Sequence, residues 1–141
     1  MSGEFVGKLK RRSEDFVRAA EMFLERGSYD LACFSADQAV QLYVKAVVFR
    51  FTGEMPRIHG VRGLLGYLAS RLYEAGYRGY AEAIVGFARE NRYALAVLED
   101  AYIEARYGLR SFTEEDARLA LEVSSRLIKL LGGVEDAIWR V

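Results

Sequence analysis

The chain has 141 residues, enough for one domain that buries about two-thirds of the surface its unfolded form exposes. Its 20 basic and 20 acidic residues cancel, which excludes a general electrostatic grip on nucleic acid and leaves only a local patch. The apolar share of 52% stands a little above the usual ~45–50% and hints at apolar surface kept for a partner.

A single cysteine, Cys33, rules out an internal disulfide and suits a reducing compartment. Residues 8–18, KLKRRSEDFVR, are charged where the apolar part of a leader would lie. Lys45 and Arg50 interrupt the most apolar run before it reaches the length of a membrane span. The expectation is a soluble cytoplasmic protein without a membrane partner. Arginine far outnumbers lysine, which favours bidentate contacts to carboxylates or phosphates.

The first helix is expected over residues 4–26, with Val6, Leu9, Phe16, Val17, Ala20, Phe23 and Leu24 at the helical period. Its basic cluster Lys8–Arg12 is followed at once by Glu14 and Asp15, so it reads as a solvated face. Gly27 ends the helix, and the short turn that follows predicts an antiparallel hairpin. In the second helix, Leu31, Phe34, Gln38, Leu42, Lys45 and Phe49 share one side, and Cys33, Val40, Val44 and Val47 the other. A helix apolar on two sides has to be covered on two sides, which puts this one at the centre. Ser28 is placed to cap its start, and Thr52-Gly53 followed by Pro56 stops it. Gln38 and Lys45 stack on one face, and lysine is rarely buried unpaired, so a polar pair toward a neighbouring helix is expected. Cys33 reads as a small buried apolar residue.

Residues 53–60, GEMPRIHG, form a loop in which Pro56 turns Met55 away from helical angles. The loop carries His59, the only histidine, placed either to cap backbone groups or to serve a site. A third helix with Val61, Leu64, Leu65, Leu68 and Leu72 at core spacing ends at Gly76. A fourth, over residues 78–106, has Ile84, Val85, Ala88, Leu95, Leu98 and Tyr102 as its stripe, with Gly86 and Arg89–Arg92 as points of bending or breaking. Thr113 followed by Glu114, Glu115 and Asp116 is a strong start signal for the fifth. Its core face is Ala117, Ala120, Val123, Leu127, Leu130 and Leu131, and Gly132-Gly133 is expected to end it before a short tail containing Trp139. No strand pattern or repeat occurs. The predicted fold is all-α, an antiparallel up-and-down bundle of four main helices plus one shorter helix, in a single domain with its core over residues 4–131 and a tail over 132–141.

One histidine and one cysteine, not at ligand spacing, give no metal site, and no strand leads into a glycine-rich loop, so no metal or cofactor is expected. Glu99, Asp100 and Glu104 cluster on the fourth helix, as ion-pair partners or as functional acids. Tyr102 and Arg106 are four apart on one face, with Tyr107 at the helix end. An arginine flanked by tyrosines can clamp a phosphate and stack on a base, or pair internally with an acid while the rings pack at the core edge.

Four stretches, GSYDLACF (Gly27–Phe34), Gln38-Ala39-Val40 with Lys45-Ala46, His59 leading into Leu64-Leu65, and YIEARY (Tyr102–Tyr107), resemble the HEPN family in order and approximate spacing, over roughly residues 8–131. The resemblance implies an up-and-down helical bundle, commonly a homodimer. It also implies partnership with a minimal nucleotidyltransferase in two-component systems of the toxin–antitoxin kind. Many relatives are metal-independent ribonucleases with an arginine followed four to six residues later by a histidine. That pattern is absent here, since Arg57 lies too close before His59 and Arg50 too far.

Residues and resemblance together select Lys45, His59, Tyr102, Arg106 and Tyr107, expected to converge between the second and fourth helices near the loop as a small anion-friendly pocket. In the alternative, Lys45 and Arg106 are neutralised by Glu99, Asp100 or Glu104 in an ion network that fixes helix register. The expected function is a non-catalytic module that binds a nucleotide or RNA end and works with the nucleotidyltransferase. Two alternatives stand: a ribonuclease with His59 as general acid/base and Arg106 or Arg57 stabilising the phosphorane, and a purely structural interaction protein.

Overall fold

The helix with two apolar sides does run through the middle. The computed structural model describes residues 2–139, which form α1 (Ser2–Glu25), α2 (Tyr29–Thr52), α3 (Val61–Glu74), α4 (Arg78–Glu90), α5 (Arg92–Tyr107) and α6 (Glu114–Trp139), with no strand among the described residues. α2 packs against α1, α3, α5 and α6. Ala32, Cys33, Ala36, Val40, Val44, Val47 and Val48 on it are buried with Leu64, Leu68, Leu95, Leu98, Leu127 and Leu131 from its neighbours in one core. The small side chains let backbones approach, and buried serines satisfy carbonyls at the crossings. Ser13 Oγ on α1 donates to the Ala39 carbonyl at 2.7 Å, and Ser124 Oγ on α6 donates to the carbonyls of Ala120 at 2.7 Å and Ala36 at 3.3 Å.

The burial of α2 is lopsided rather than two-sided. Leu31 is exposed, and Phe34, Gln38, Leu42, Lys45 and Phe49 are half-buried. α1 covers part of this side through Val6, Leu9 and Phe5, whose ring meets Phe49 edge-on at 5.0 Å.

The turns follow from backbone accounting. After α1, Gly27 takes φ +77°, the Gly27 amide donates to the Leu24 carbonyl and the Ser28 amide to that of Phe23. The same pair of bonds recurs after α3, from Gly76 (φ +94°) to Tyr73 and from Tyr77 to Leu72. Only glycine enters that left-handed region cheaply, so both hairpins depend on it. Ser28, expected as a side-chain cap, makes no such bond; the chain reaches it already turned, and its carbonyl accepts from Ala32 instead. At the start of α6 the cap is reciprocal. The Asp116 amide donates to Thr113 Oγ1 at 3.1 Å, and the Thr113 amide donates to Asp116 Oδ2 at 3.0 Å.

One boundary falls where the sequence offered a break, and one differs from expectation. The fourth helix is two, α4 and α5, divided at Asn91 within the Arg89–Arg92 group, while Gly86 lies inside α4 and does not break it. Asn91 Nδ2 donates to the Phe87 carbonyl at 2.9 Å and its Oδ1 accepts from Arg126 at 3.0 Å. An asparagine bonded to its own preceding turn competes with helix continuation, and the break lets α4 lie on α3 while α5 lies on α2. The expected tail is the end of α6, which passes through Gly132 and Gly133 to Trp139; residues 140 and 141 lie outside the described residues. Tertiary contacts beyond the glycines hold it. Glu135, 4% exposed, accepts from Lys10 Nζ at 2.7 Å, Tyr43 Oη at 2.8 Å and Arg50 at 3.1 Å. Trp139 packs under the Arg50 guanidinium at 4.4 Å and against Phe51. These outweigh the ~1 kcal/mol that each glycine costs in a helix.

Two measurements check this ending. Glu135→Ala leaves two cations and a phenol without their shared acceptor, and urea titration should show a loss of roughly 2–3 kcal/mol, moderated because Lys10 and Arg50 are partly exposed. Gly133→Ala, where a Cβ meets nothing within 4 Å, should instead stabilise by up to ~1 kcal/mol, since α6 is helical there.

Candidate functional site

The side of α2 that faces α5 carries a polar ladder. Asp37, Gln41 and Lys45 succeed one another at intervals of four, with Gln38 beside them. The buried polar pair is Asp37–Gln41, not the expected Gln38–Lys45. Gln41 Nε2 donates to Asp37 Oδ2 at 2.7 Å, and Gln38 reaches the same oxygen at 3.4 Å. Asp37 is 0% exposed, and its second oxygen, Oδ1, has no hydrogen-bond partner among the described residues. Burial pushes the Asp37 carboxyl up to about 7 against the pull of the two glutamines, with nearby Glu99 raising it and Lys45 lowering it. Lys45 is half-buried, and burial lowers its pKa against the opposing charge of Asp37. Among the described residues no carboxylate lies within ion-pair distance of its amine.

The loop of residues 53–60 is docked on α5 by Glu99. That carboxylate accepts from the Arg62 backbone amide at 2.9 Å and from its side chain at 3.0 and 2.6 Å, and so closes the N-terminus of α3 from another helix. Burial acts to raise the Glu99 pKa, but the Arg62 bonds and charge outweigh it and hold the group below the usual carboxylate value. Gly60 sits so close that a Cβ there would lie 3.5 Å from Glu99 Oε2. This docking brings exposed His59 against Tyr102, ring on ring, with centroids 5.9 Å apart and planes 8° from parallel.

One turn further along α5, Arg106 Nε donates to the Tyr102 carbonyl at 2.8 Å. Its guanidinium lies 4.7 Å from the Tyr102 ring, 4.9 Å from Tyr107 and 5.5 Å from Phe34 of α2. Tyr107 is 77% exposed. The acids expected to neutralise Lys45 and Arg106 are engaged elsewhere. Glu99 holds Arg62, Asp100 pairs with Arg110 at 2.5 Å, and Glu104 accepts from the Arg110 amide at 3.3 Å. An ion network therefore exists, but with two arginines that the sequence reading did not select.

His59, Tyr102, Arg106 and Tyr107 come together, joined by Phe34. Lys45 stands apart from them: eleven residues separate it from Phe34 on α2, about 16 Å of helix axis, and its charged neighbour is Asp37. The arrangement is two adjoining stations, an aromatic cradle around an unpaired arginine and a half-buried polar ladder, rather than one pocket. Asp37 and Phe34 were not among the residues selected for the site. The i, i+4 spacing of Asp37 and Gln41 was the signal for the first; Phe34 shares a side with Gln38 and Lys45, but it belongs to the cradle only because α5 crosses α2 there.

The sequence matches the HEPN domain family over residues 6–134. Among solved structures, the crystal structure of TT1696 from Thermus thermophilus is similar, with a TM-score of 0.64 over 91% of this chain and 96% of that one, at 22% identity. At that identity the likeness is one of fold. No curated protein sequence matches significantly.

The raised Asp37 pKa carries a sign. The folded state holds this proton up to about pH 7, whereas the unfolded chain releases it near ~3.9. Between those values the folded state binds more protons, so stability falls as pH rises through the window and is level above it. Asp37→Asn should remove that slope and stabilise more at pH 8 than at pH 5, by a difference on the order of a few kcal/mol in urea titrations. Equal effects at both pH values would show that Asp37 ionises normally.

Proposed function

The chain belongs to the HEPN domain family, and from that premise we propose a non-catalytic module whose aromatic cradle of His59, Tyr102, Arg106 and Tyr107, with Lys45 further along α2, binds a nucleotide or an RNA end. In this reading it acts as a homodimer and partners a minimal nucleotidyltransferase in a toxin–antitoxin-type pair. The observation that supports it is the state of Arg106. Its side chain is exposed, has no carboxylate within ion-pair distance among the described residues, and is oriented by three rings and one carbonyl. With Nε engaged, the terminal nitrogens remain as a planar fork suited to phosphate oxygens. The exposed Tyr107 ring offers a base a stacking face worth roughly 1–3 kcal/mol. Ile103, Tyr107 and Leu109, at 58%, 77% and 101% exposure, extend this end of α5 as apolar surface on which a partner protein would seat.

One observation favours the ribonuclease reading. The only histidine and Arg106 both contact the Tyr102 ring, so a general acid/base and a cation for a phosphorane stand near one another without the family's usual spacing.

Thermal shift with ATP separates these readings. Binding to the folded state alone raises the melting temperature once ligand exceeds its dissociation constant. The expected result is a rise that disappears in Arg106→Ala and shrinks in Tyr107→Ala, with no cleavage of single-stranded RNA by the wild type. Cleavage abolished by His59→Ala would replace the module with a ribonuclease. Neither shift nor cleavage would leave protein–protein interaction as the function.

A further inference from the structure

α4 is the least embedded helix of the fold. Of its thirteen residues only Ala81 and Ile84 are buried. Between it and α3 lies an open groove of about 610 Å³, with Gly66 and Tyr73 on one wall and Glu82, Val85, Gly86 and Arg89 on the other. Tyr73 is 49% and Val85 41% exposed. A Cβ placed on Gly66 or Gly86 would meet nothing within 4 Å, so the groove has open space above both glycines. Glu82 and Arg89 are exposed, and among the described residues neither has an ion-pair partner.

The α4 wall has an internal order. Glu82, Val85, Gly86 and Arg89 follow the i, i+3, i+4, i+7 spacing of one helical face, with an acid at one end, a base at the other, and a large and a small residue between. The midpoint of that ladder falls between Val85 and Gly86. If a second α4 is laid antiparallel across that midpoint, Glu82 of each copy faces Arg89 of the other, and Val85 of each enters the space above Gly86 of the other. This is the self-complementarity that a twofold interface requires. We propose that the α3–α4 groove is where two copies of this chain associate, through antiparallel α4 helices closed by two Glu82–Arg89 ion pairs. The proposal rests on the homodimer part of the reading above and assigns it a face, away from the aromatic cradle on α5.

The ladder makes its own test. Glu82→Arg sets arginine against arginine at both ends of the interface, and Arg89→Glu sets acid against acid; the double variant Glu82→Arg with Arg89→Glu reverses the pattern and restores complementarity. Sedimentation equilibrium over a micromolar concentration series should find a dimer for the wild type. Each single variant should raise the dissociation constant by at least about tenfold, since facing like charges are strongly unfavourable, and the double variant should recover it. Both side chains are exposed and without an ion-pair partner among the described residues, so helicity and the melting temperature at monomeric concentrations should not change, which separates loss of assembly from loss of fold. A monomeric wild type overturns the proposal. A dimer that is indifferent to the single variants, or a double variant as weak as they are, also overturns it while leaving the homodimer to another face. ATP thermal shift is read separately, so failure of the cradle and failure of this interface are distinct results.

Discussion

The structure depends on the burial of α2. With Ala32, Cys33, Ala36, Ala39, Val40, Val44, Ala46, Val47 and Val48 buried on it, this helix has no stable position except among others. α1, α3, α5 and α6 are arranged as its cover. Small residues draw the neighbours close, and polar groups buried at the crossings need partners within the protein. Ser13 and Ser124 are satisfied by the carbonyls they meet. Asp37 is only half satisfied, and its burial pushes the carboxyl up to about 7 against the pull of Gln41 and Gln38.

A second order is imposed by the distribution of arginines. The acids most deeply involved in tertiary structure each hold a basic partner from another element. Glu99 fixes the start of α3 through Arg62, Asp100 fixes the approach to α6 through Arg110, and Glu135 gathers Lys10 and Arg50 around the last turns of α6. Many other charges make no ion pair among the described residues, and three groups of them bear on the surfaces proposed for ligand and partner. Arg106 stands in a ring of aromatics at one end of α5, Lys45 beside Asp37 on α2, and Glu82 with Arg89 along the α4 wall of the α3–α4 groove. A net charge near zero says nothing of this, because it sums the whole chain and does not report which charges meet.

The helical elements and most of their ends were legible in the residues. Gly27, Gly53 and Gly76 mark their stops, since each takes a positive φ that other residues resist. Thr113 with Asp116 marks the start of α6, because a cap is a contact within four residues. The burial of Cys33 followed from its place on the inner face of α2. The polar pair on α2 was assigned to the wrong rungs: Gln38 and Lys45 share a face, but that face is the rim, and the position turned fully inward is Asp37.

What the sequence alone determined about this protein is its class and its family: an all-α chain whose 3.6-residue periodicity, capping and glycine stops are properties of neighbouring residues. What only the tertiary structure decided is which of the offered breaks those helices take and which charges meet. Two glycines fail to end α6 because Glu135 and Trp139, beyond them, are held by Lys10, Tyr43, Arg50 and Phe51 from distant parts of the chain. A single asparagine divides α4 from α5, bonded back to Phe87 and across to Arg126 of α6. Arg106 has no ion-pair partner among the described residues, because Arg110 and Arg62 hold its candidate acids. Such outcomes are competitions among residues far apart in the chain, and they are settled only when the helices pack.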